Sequence, residues 1–420
     1  MSQAEKEAIS VLTAAIGKKY ILTDQKSVEF YSMDVYRSFE TPIAVVQPGS
    51  VEELQEVVRV ATGLGIAIVT RGGGASYTDG YLATTPKSIT IDTSRLNQIV
   101  EINEEDMLVT VEPGVTWAEM AAALAEKNLR TPFWGPFSGL KATVGGSTSQ
   151  NSLSMGTSAY GGSPESILCY DIVLPSGKIL KTGSSSMENS SAFFRHYGPD
   201  LTGLFSGDAG ALGVKARITL RLIKLPTHTL TCSFGFKDYG SMSKGMAAAA
   251  REQSVSSNWG LDPKLQQGQL GRTTFSDAIK AAFAVLRTAR NPFEAIVQLG
   301  KMALAGKRFL TGFDYSAHFV VEGYSVAEVK SKLAQTRKAV GPFGTEIANT
   351  IPTVLGAMPF MPLYPILGPQ GERWVPMHGF LPFSKMQDFH NRLMNFYEEN
   401  KEEMKTHSVE AGAMFMTYST

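Results

Sequence analysis

Residues 66–80 read Ile-Ala-Ile-Val-Thr-Arg-Gly-Gly-Gly-Ala-Ser-Tyr-Thr-Asp-Gly, an apolar run that breaks into three consecutive glycines. The apolar residues 66–69 predict a strand. Glycine adopts positive φ at little cost and has no Cβ, so the backbone N–H groups that follow the strand stay approachable. Successive N–H groups in such a turn form a concave anion site, and Arg71 adds a permanent positive charge. This stretch therefore predicts a strand that ends in a phosphate-binding loop.

A β–α–β unit leads into this loop. Residues 43–46 form an apolar run that predicts a first buried strand. Ser50 followed by Glu53 is a capping box, and residues 51–61 then repeat apolar side chains on one helical face. Gly63 ends that helix. The unit therefore places the loop at the exit of its second strand.

Further elements follow along the first half of the chain. Short apolar runs predict strands at residues 88–92, 99–102 and 107–111, a hairpin at residues 172–180, and a half-buried alternating strand at residues 214–222. Thr116 and Glu119 form a second capping box, which predicts a helix through about residue 126.

Three interpretations of the first glycine loop compete. A Rossmann fingerprint needs a third glycine where Tyr77 stands, and it needs a helix, whereas a further turn follows at residues 78–80. A Walker-type loop needs Gly-Lys-Ser/Thr after four spacers, and none exists. A purely structural glycine turn stays open on the triplet alone.

Two later glycine-rich segments favour a ligand. Residues 131–162 are rich in Gly, Ser, Thr and Asn and nearly free of charge, and a stretch of that length without periodicity is usually functional. Gly207, Gly210 and Gly213 offer a third close approach of backbone. One polar groove built from three separated loops suits a long ligand with a pyrophosphate, a ribityl chain and a flat ring. FAD has that shape.

The pattern from about residue 42 to residue 226 resembles the FAD-binding domain of the vanillyl-alcohol oxidase and para-cresol methylhydroxylase superfamily. The resemblance rests on Pro-Ile-Ala-Val-Val-Gln-Pro at residues 42–48, on Arg-Gly-Gly-Gly at residues 71–74, and on Asp-Leu-Thr-Gly-Leu-Phe at residues 200–205 with the glycines of residues 207–213. The last of these is similar to D-lactate and glycolate dehydrogenases, whereas the spacing from Asn151 to Gly161 is closer to the phenol-oxidising members.

The resemblance implies a set of FAD contacts. It implies that the pyrophosphate is cradled by the first loop, namely Arg71, Gly72, Gly73, Gly74, Ala75 and Ser76. It implies that the flavin and ribityl path is lined by the second segment, namely Thr143, Gly145, Gly146, Asn151 and Gly161. It implies that backbone atoms of Gly213 and Val214 meet the pyrimidine edge of the ring.

Two departures from the family pattern stand out. Many relatives carry a histidine in the first loop that bonds to the flavin, and Ala75 takes that place here. We therefore expect non-covalent FAD, with tethering from the second domain left open. Many phenol-oxidising relatives carry an Asp where Ser154 stands, which weakens the phenol interpretation without removing it.

Composition changes after Pro226, and we predict an FAD-binding domain at residues 1–225 and a substrate or cap domain at residues 226–420. The predicted class is α+β, a two-subdomain FAD-binding domain followed by an antiparallel-sheet cap. Residues 278–304 form the richest helical stretch of this cap, and residues 411–420 look like a strand after which the cap is incomplete.

Residues 373–379 combine a cation, an aromatic ring and an imidazole in a predicted extended stretch, so His378 is the candidate base and Arg373 the candidate carboxylate clamp. Tyr324, Tyr364 and Trp374 are candidates for ring stacking, with core packing as the alternative.

Composition limits the partners. The formal net charge is zero, from 39 basic and 39 acidic residues, and no basic stripe occurs, so a nucleic-acid partner is not expected. The two cysteines do not form a disulfide framework, and no metal-ligand spacing occurs. Residues 1–7 lack the pattern of a secretory signal, and no transmembrane run occurs. We expect a cytoplasmic protein, with peripheral contact to the inner membrane as an open alternative.

Three functions stay open from sequence. The first is an FAD-dependent dehydrogenase of small D-2-hydroxy acids such as D-lactate or glycolate, with a quinone, a cytochrome or oxygen as electron acceptor. The second is an oxidase or dehydrogenase of para-substituted phenols. The third is a flavin-binding subunit completed by a partner chain; a homodimer is also open.

Overall fold

The computed structural model describes residues 3–266, 312–349, 351–352, 360–361, 373 and 375–419, and the account below is limited to them. The predicted helix at residues 278–304 and the aromatic residues Tyr364 and Trp374 lie outside the described residues. The chain divides into two compact units. The first comprises Met1–Ser154, Gly162–Leu225 and Phe360–Met377, and the second comprises Met155–Gly161, Pro226–Pro359 and His378–Thr420. The chain passes from unit 1 to unit 2 after residue 225, at the predicted domain boundary. Residues 155–161, however, belong to unit 2 and residues 360–377 belong to unit 1.

The strands are numbered along the chain. They are β1 (Ile21–Leu22), β2 (Ala44–Val46), β3 (Ala67–Arg71), β4 (Ser88–Asp92), β5 (Ile99–Asn103), β6 (Leu108–Val111), β7 (Leu129–Arg130), β8 (Ile167–Val173), β9 (Ile179–Lys181), β10 (Val214–Arg221), β11 (Ile223–Lys224), β12 (His228–Phe236), β13 (Ser257–Leu261), β14 (Tyr315–Gly323), β15 (Thr345–Ile347) and β16 (Met414–Met416).

The α-helices are numbered in the same way. They are α1 (Gln3–Ile16), α2 (Gln25–Tyr31), α3 (Val51–Gly63), α4 (Trp117–Ala125), α5 (Val144–Ser149), α6 (Thr157–Tyr160), α7 (Leu201–Leu204), α8 (Tyr239–Arg251), α9 (Val326–Val340), α10 (Met386–Glu399) and α11 (Lys401–Thr406). Helices and antiparallel sheets together confirm the predicted α+β class.

The first sheet of unit 1 contains the predicted β–α–β unit. Its strand order is β1-β2-β4-β3, and β2 and β3 both run parallel to β4, which lies between them. The Ser50 side chain caps α3 by accepting from the Glu53 N–H, while the Glu53 carboxylate accepts from the N–H of Gly49 rather than of Ser50. The buried face of α3, with Leu54 and Val57, packs into one apolar core with β2 and β4. The chain thus delivers β3 to the glycine loop as predicted.

The second sheet of unit 1 is antiparallel, in the order β5-β6-β10-β8-β9. It supports a separate apolar core that includes Trp117 of α4, Tyr170 and Phe133. Helix α4 has the complete capping box predicted from Thr116 and Glu119. Two cores within one unit match the predicted two-subdomain arrangement.

Strand β10 joins these two cores, and the predicted half-buried alternation of this strand is wrong. Only Arg217 and Arg221 of its eight residues are exposed. A β-bulge at Ala216 shifts the pairing with β8, so that residues on both sides of the bulge turn to different faces. Val214 accordingly packs in the first core and Ile218 in the second. Burial on both faces therefore replaces the simple alternation.

Unit 2 is built on one antiparallel sheet in the order β15-β12-β14-β13-β16. Its helix-covered face is apolar, with Phe234 and Phe319 packed against residues of α8 and α9. Helix α10 has one buried residue, His390, whose ring stacks on Tyr239 at a centroid distance of 3.8 Å. This arrangement agrees with the predicted antiparallel-sheet module.

Candidate functional site

The three glycine-rich segments predicted from the sequence meet in unit 1. Loop 1 is residues 72–76 after β3, loop 2 is residues 141–151 with the short helix α5, and loop 3 is residues 207–213 before β10. Loop 3 is tied to loop 2 by two backbone hydrogen bonds, from Gly207 N–H to Thr148 O at 2.9 Å and from Ala209 N–H to Ser149 O at 2.8 Å. Tertiary structure therefore assembles one site from segments more than fifty residues apart.

Loop 1 approaches loop 2 so closely that a side chain cannot fit. A Cβ built on Gly73 lies 1.5 Å from the carbonyl oxygen of Lys141, and one built on Gly72 lies 2.2 Å from Thr143 Oγ1. These two glycines are therefore required for packing between the loops. Gly72 and Gly73 thus have a structural role in packing the two loops together, in addition to their predicted role in binding a ligand.

Loop 3 approaches the end of β3 and loop 2 in the same way. A Cβ on Gly210 lies 2.4 Å from Thr70 Oγ1 at the end of β3, and one on Gly207 lies 2.2 Å from Asn151 Nδ2. Both glycines have positive φ, at +76° and +69°. Glycine is needed at both positions for space and for backbone conformation.

Arg71 lies beneath loop 1 and is 8% exposed. Its guanidinium lies 4.5 Å from the ring centroid of Tyr31, 5.0 Å from that of Phe30 and 5.2 Å from that of Tyr81. A Cβ on Gly74 would lie 2.5 Å from its Nη2 atom. Three rings thus hold the cation directly under the loop.

Arg71 is not fully paired in the described part of the chain, because the Asp92 carboxylate hydrogen-bonds to Tyr31 of the same cage but forms no ion pair with Arg71. Its Nη1 atom is buried without a hydrogen-bond partner, and no ion pair to it occurs among the described residues. A buried cation that lacks an ion pair and keeps an unpaired N–H group is costly, so an anion at the loop would stabilise it. These features fit a bound diphosphate.

The aromatic cage is held in its neutral state. The Tyr31 hydroxyl donates to Asp92 Oδ2 at 2.6 Å, and Gln47 Nε2 donates to the same oxygen at 2.8 Å. Burial, followed by the hydrogen bond to Asp92, raises the pKa of Tyr31 to about 12. The Tyr31 phenol is therefore protonated near pH 7.

The remaining predicted cofactor residues are distributed as follows. Thr143 caps α5 by accepting from the N–H of Gly146 at 3.2 Å, and a Cβ on Gly145 would lie 2.6 Å from Pro113. Asn151 adopts a left-handed conformation at φ +49°. Ala75, Ser76, Gly213 and Val214 also belong to unit 1, where Gly213 packs against Ile172 and Val214 lies in the first apolar core. Gly161, at the end of α6, belongs to unit 2.

The two predicted catalytic residues fall in different units. Arg373 belongs to unit 1, is exposed, and donates from Nη1 to the carbonyl oxygen of Tyr36. His378 belongs to unit 2 and is exposed. Residues 375–380 form no strand, and Met377 is 92% exposed.

Sequence reasoning missed a buried histidine in unit 2. His318 on β14 is fully buried, with its Nδ1 atom 2.8 Å from Ser233 Oγ and its Nε2 atom 3.1 Å from Ser316 Oγ. Because Ser316 Oγ donates to Gln266 Oε1, it accepts from His318 Nε2–H, and His318 Nδ1 accepts from Ser233. Burial lowers the pKa of His318 to about 3, so the imidazole is neutral near pH 7. The alternation in residues 315–319 would have placed Ser316 and His318 on one face.

The described residues hold no group of three or more His, Cys, Asp or Glu side chains arranged to bind a metal ion. Within the same residues, no helix combines the length and apolar character needed to cross a membrane.

The fold and the loops define the chain as a flavoprotein with an FAD-binding domain. Residues 42–183 match the family described as FAD binding domain. The chain therefore contains an FAD-binding domain, and the predicted FAD-binding domain and the predicted cofactor, FAD, are confirmed.

Relatives and solved structures agree with this assignment. The chain is 30% identical over 237 residues to the mitochondrial D-lactate dehydrogenase [cytochrome] of Arabidopsis thaliana, covering 55% of this chain and 40% of that protein. It is 29% identical over 197 residues to glycolate oxidase subunit GlcD of Bacillus subtilis (strain 168), covering 47% of this chain and 40% of that protein. The chain thus matches less than half the length of these curated relatives.

Two solved structures share the fold. The 4-ethylphenol oxidase from Gulosibacter chungangensis, in complex with isoeugenol, superposes with a TM-score of 0.70 at 18% identity, covering 100% of this chain and 81% of that one. A substrate-bound p-cresol methylhydroxylase superposes with a TM-score of 0.66 at 18% identity, covering 89% of this chain and 71% of that one. They confirm the predicted fold class.

Proposed function

We propose that this chain is an FAD-dependent oxidoreductase that oxidises the CH–OH group of a small D-2-hydroxy acid. The observation that carries the redox assignment is the meeting of three glycine-rich loops above the buried guanidinium of Arg71, whose Nη1 atom has no hydrogen-bond partner. The substrate class is supported by the D-lactate dehydrogenase and glycolate oxidase names of the curated relatives.

The residues of the chain have distinct proposed roles. When bound, FAD supplies the hydride acceptor. Loops 1, 2 and 3 hold the cofactor through backbone groups, and Arg71 offsets the charge of the diphosphate from below. Arg373, exposed and planar, is the proposed clamp for a substrate carboxylate, and His378 is the proposed acceptor of the hydroxyl proton.

A second candidate is oxidation of para-substituted phenols. One face of the unit 2 sheet carries Ser233, Ser257, Ser316, His318 and Trp259, and no Lys or Arg stands on the described strand positions of that face. Hydroxyl, imidazole and indole groups suit a neutral aromatic substrate, whereas a carboxylate favours an arginine. The subunit name of the glycolate oxidase relative supports a third candidate, a flavin-binding subunit that needs a partner chain.

Anaerobic titration of the purified, FAD-loaded protein separates these candidates. We expect D-lactate or glycolate to bleach the oxidised-flavin absorption band, and Arg373→Met to raise KM for the acid. Bleaching by a 4-alkylphenol alone would support the second candidate and overturn the first. A protein that binds FAD but is bleached by neither points to the third. Failure of the purified chain to bind added FAD would overturn the proposal itself.

A further inference from the structure

An ion pair between Lys215 and Asp208 lies buried beside loop 3. The Lys215 Nζ and Asp208 Oδ1 atoms are 2.7 Å apart, and the side chains are 3% and 1% exposed. In every other ion pair recorded among the described residues, both side chains are at least 16% exposed. This pair therefore stands apart from the surface pairs of the chain.

The pair closes loop 3 on itself. Asp208 Oδ1 accepts from Lys215 and also from the backbone N–H of Gly210, at 3.0 Å. Asp208 stands at the start of the loop, and Lys215 stands on β10 just after it, one residue before the bulge. Both ends of the loop are thus tied to a single carboxylate oxygen.

The loop needs such a constraint because its backbone is strained. Ala209 has φ +50°, between Gly207 at φ +69° and Gly210 at φ +76°. A left-handed conformation costs a residue with a Cβ about 1–2 kcal/mol. Strain of this kind persists only where surrounding contacts determine the conformation.

The pair is poorly explained by fold stability alone. Asp208 Oδ2 is buried without a hydrogen-bond partner. Burial lowers the pKa of Lys215, although Asp208 opposes that shift. A buried ion pair often adds nothing to stability over apolar residues of similar volume, whereas removing one partner is costly.

We propose that the Lys215–Asp208 pair is a positioning device that holds loop 3 in the one conformation that receives FAD. This inference rests on the proposed function of the three loops. Lys215 also lies 5.4 Å from the ring of Tyr170, whose hydroxyl is 3.1 Å from Ser206 Oγ just before the loop. The entrance and the exit of loop 3 are thereby fixed to the same part of the second sheet.

The test compares Asp208→Asn, Lys215→Met and the double variant with the wild type. Asp208→Asn keeps an acceptor for the Gly210 N–H and removes the charge. The matched control is the double variant Asp171→Asn/Arg217→Met, which removes a more exposed pair at 3.9 Å between β8 and the same strand, β10. Apoprotein stability is measured by urea unfolding, FAD affinity by fluorescence quenching, and the environment of the bound flavin by its visible absorption spectrum.

We expect each single variant to lose apoprotein stability and to weaken FAD binding about tenfold or more. The double variant regains most of the stability because no buried charge is left alone, yet its FAD affinity stays about tenfold weaker and its flavin spectrum is shifted. The control keeps the affinity and spectrum of the wild type.

Recovery of wild-type FAD affinity and spectrum in the double variant would show a purely structural pair and overturn the inference. If the double variant does not fold, Asp208→Asn decides: wild-type affinity and spectrum in that variant overturn the inference, and a weakened, shifted flavin supports it. A wild-type chain that binds no FAD would instead remove the proposed function, so the two failures are distinguishable.

Discussion

Replacing Gly73 by alanine separates loop 1 from loop 2. The added Cβ would lie 1.5 Å from the carbonyl oxygen of Lys141, and real Cβ atoms stay at least 3.0 Å from such neighbours, so the two backbones must part by about 1.5 Å. Overpacking of this kind costs about 1–3 kcal/mol. Because the neighbour is backbone, a rotamer change cannot relieve the contact.

We expect this cost to fall mainly on FAD binding. The apoprotein relieves the contact by opening the loops, whereas the bound state requires them together. A loss of about 2 kcal/mol raises the dissociation constant for FAD about 30-fold. Fluorescence quenching on titration with FAD measures the constant, and urea unfolding of the apoprotein measures any loss of stability.

Gly63→Ala is the matched control for this experiment. Gly63 is the last residue of α3, and a Cβ there meets no atom within 4 Å. Alanine at this position stabilises the helix by up to about 1 kcal/mol and leaves FAD affinity unchanged. If Gly73→Ala binds FAD as tightly as Gly63→Ala does, close packing of the two loops does not shape the cofactor site.

Three further predictions follow from the same contacts. Arg71→Met lowers FAD affinity about tenfold or more because the diphosphate loses its buried cation. Arg95→Met is the control: it removes an arginine that lies 3.3 Å from the Tyr20 ring and pairs with Glu53, and it does not lower FAD affinity in this way. Equal losses of affinity for the two variants in an FAD titration would contradict this role of Arg71. The lowered pKa of His318 means that the unfolded chain binds more protons than the folded one between about pH 3 and 6.5, so stability falls as pH falls through that window. In urea unfolding, the free energy of unfolding of the wild type falls by about 2 kcal/mol between about pH 7.5 and pH 5 because of His318. His318→Asn abolishes this fall, and the exposed control His407→Asn keeps it. Identical pH dependence of the two variants would refute the buried neutral state of His318. Acid precipitation of the FAD-loaded protein releases the flavin to the supernatant because Ala75 offers no attachment point, and a yellow pellet would show a covalent link.

Several parts of the fold were predictable because they depend on neighbours in the chain. The N-cap at Ser50, the capping box at Thr116 and the strand that ends at Arg71 follow from local hydrogen bonding and side-chain periodicity. The burial of β10 did not follow, because the bulge at Ala216 turns the strand between two cores that its own pattern does not reveal.

The candidate site likewise has features that the sequence predicted and features that it did not. The sequence indicated which glycines belong to it, yet it could not show that Gly73 packs on Lys141 or that Gly210 packs on Thr70. The predicted catalytic histidine, His378, is exposed, whereas His318, for which the sequence predicted no role, is fully buried. Burial depends on which distant strands pack together, so the sequence does not show which of the six histidines is buried.

Taken by itself, the sequence determined the local conformations of this chain: a strand that ends in three glycines, the caps that start its helices, and the order of its loops. These depend on φ/ψ preferences and on hydrogen bonds within a few residues. Only the tertiary structure decided that Arg71 lies inside a cage of three rings and that Lys215 pairs with Asp208. The reason is physical, because burial and charge pairing depend on which distant segments exclude water from one another, and that is settled by packing of the whole unit.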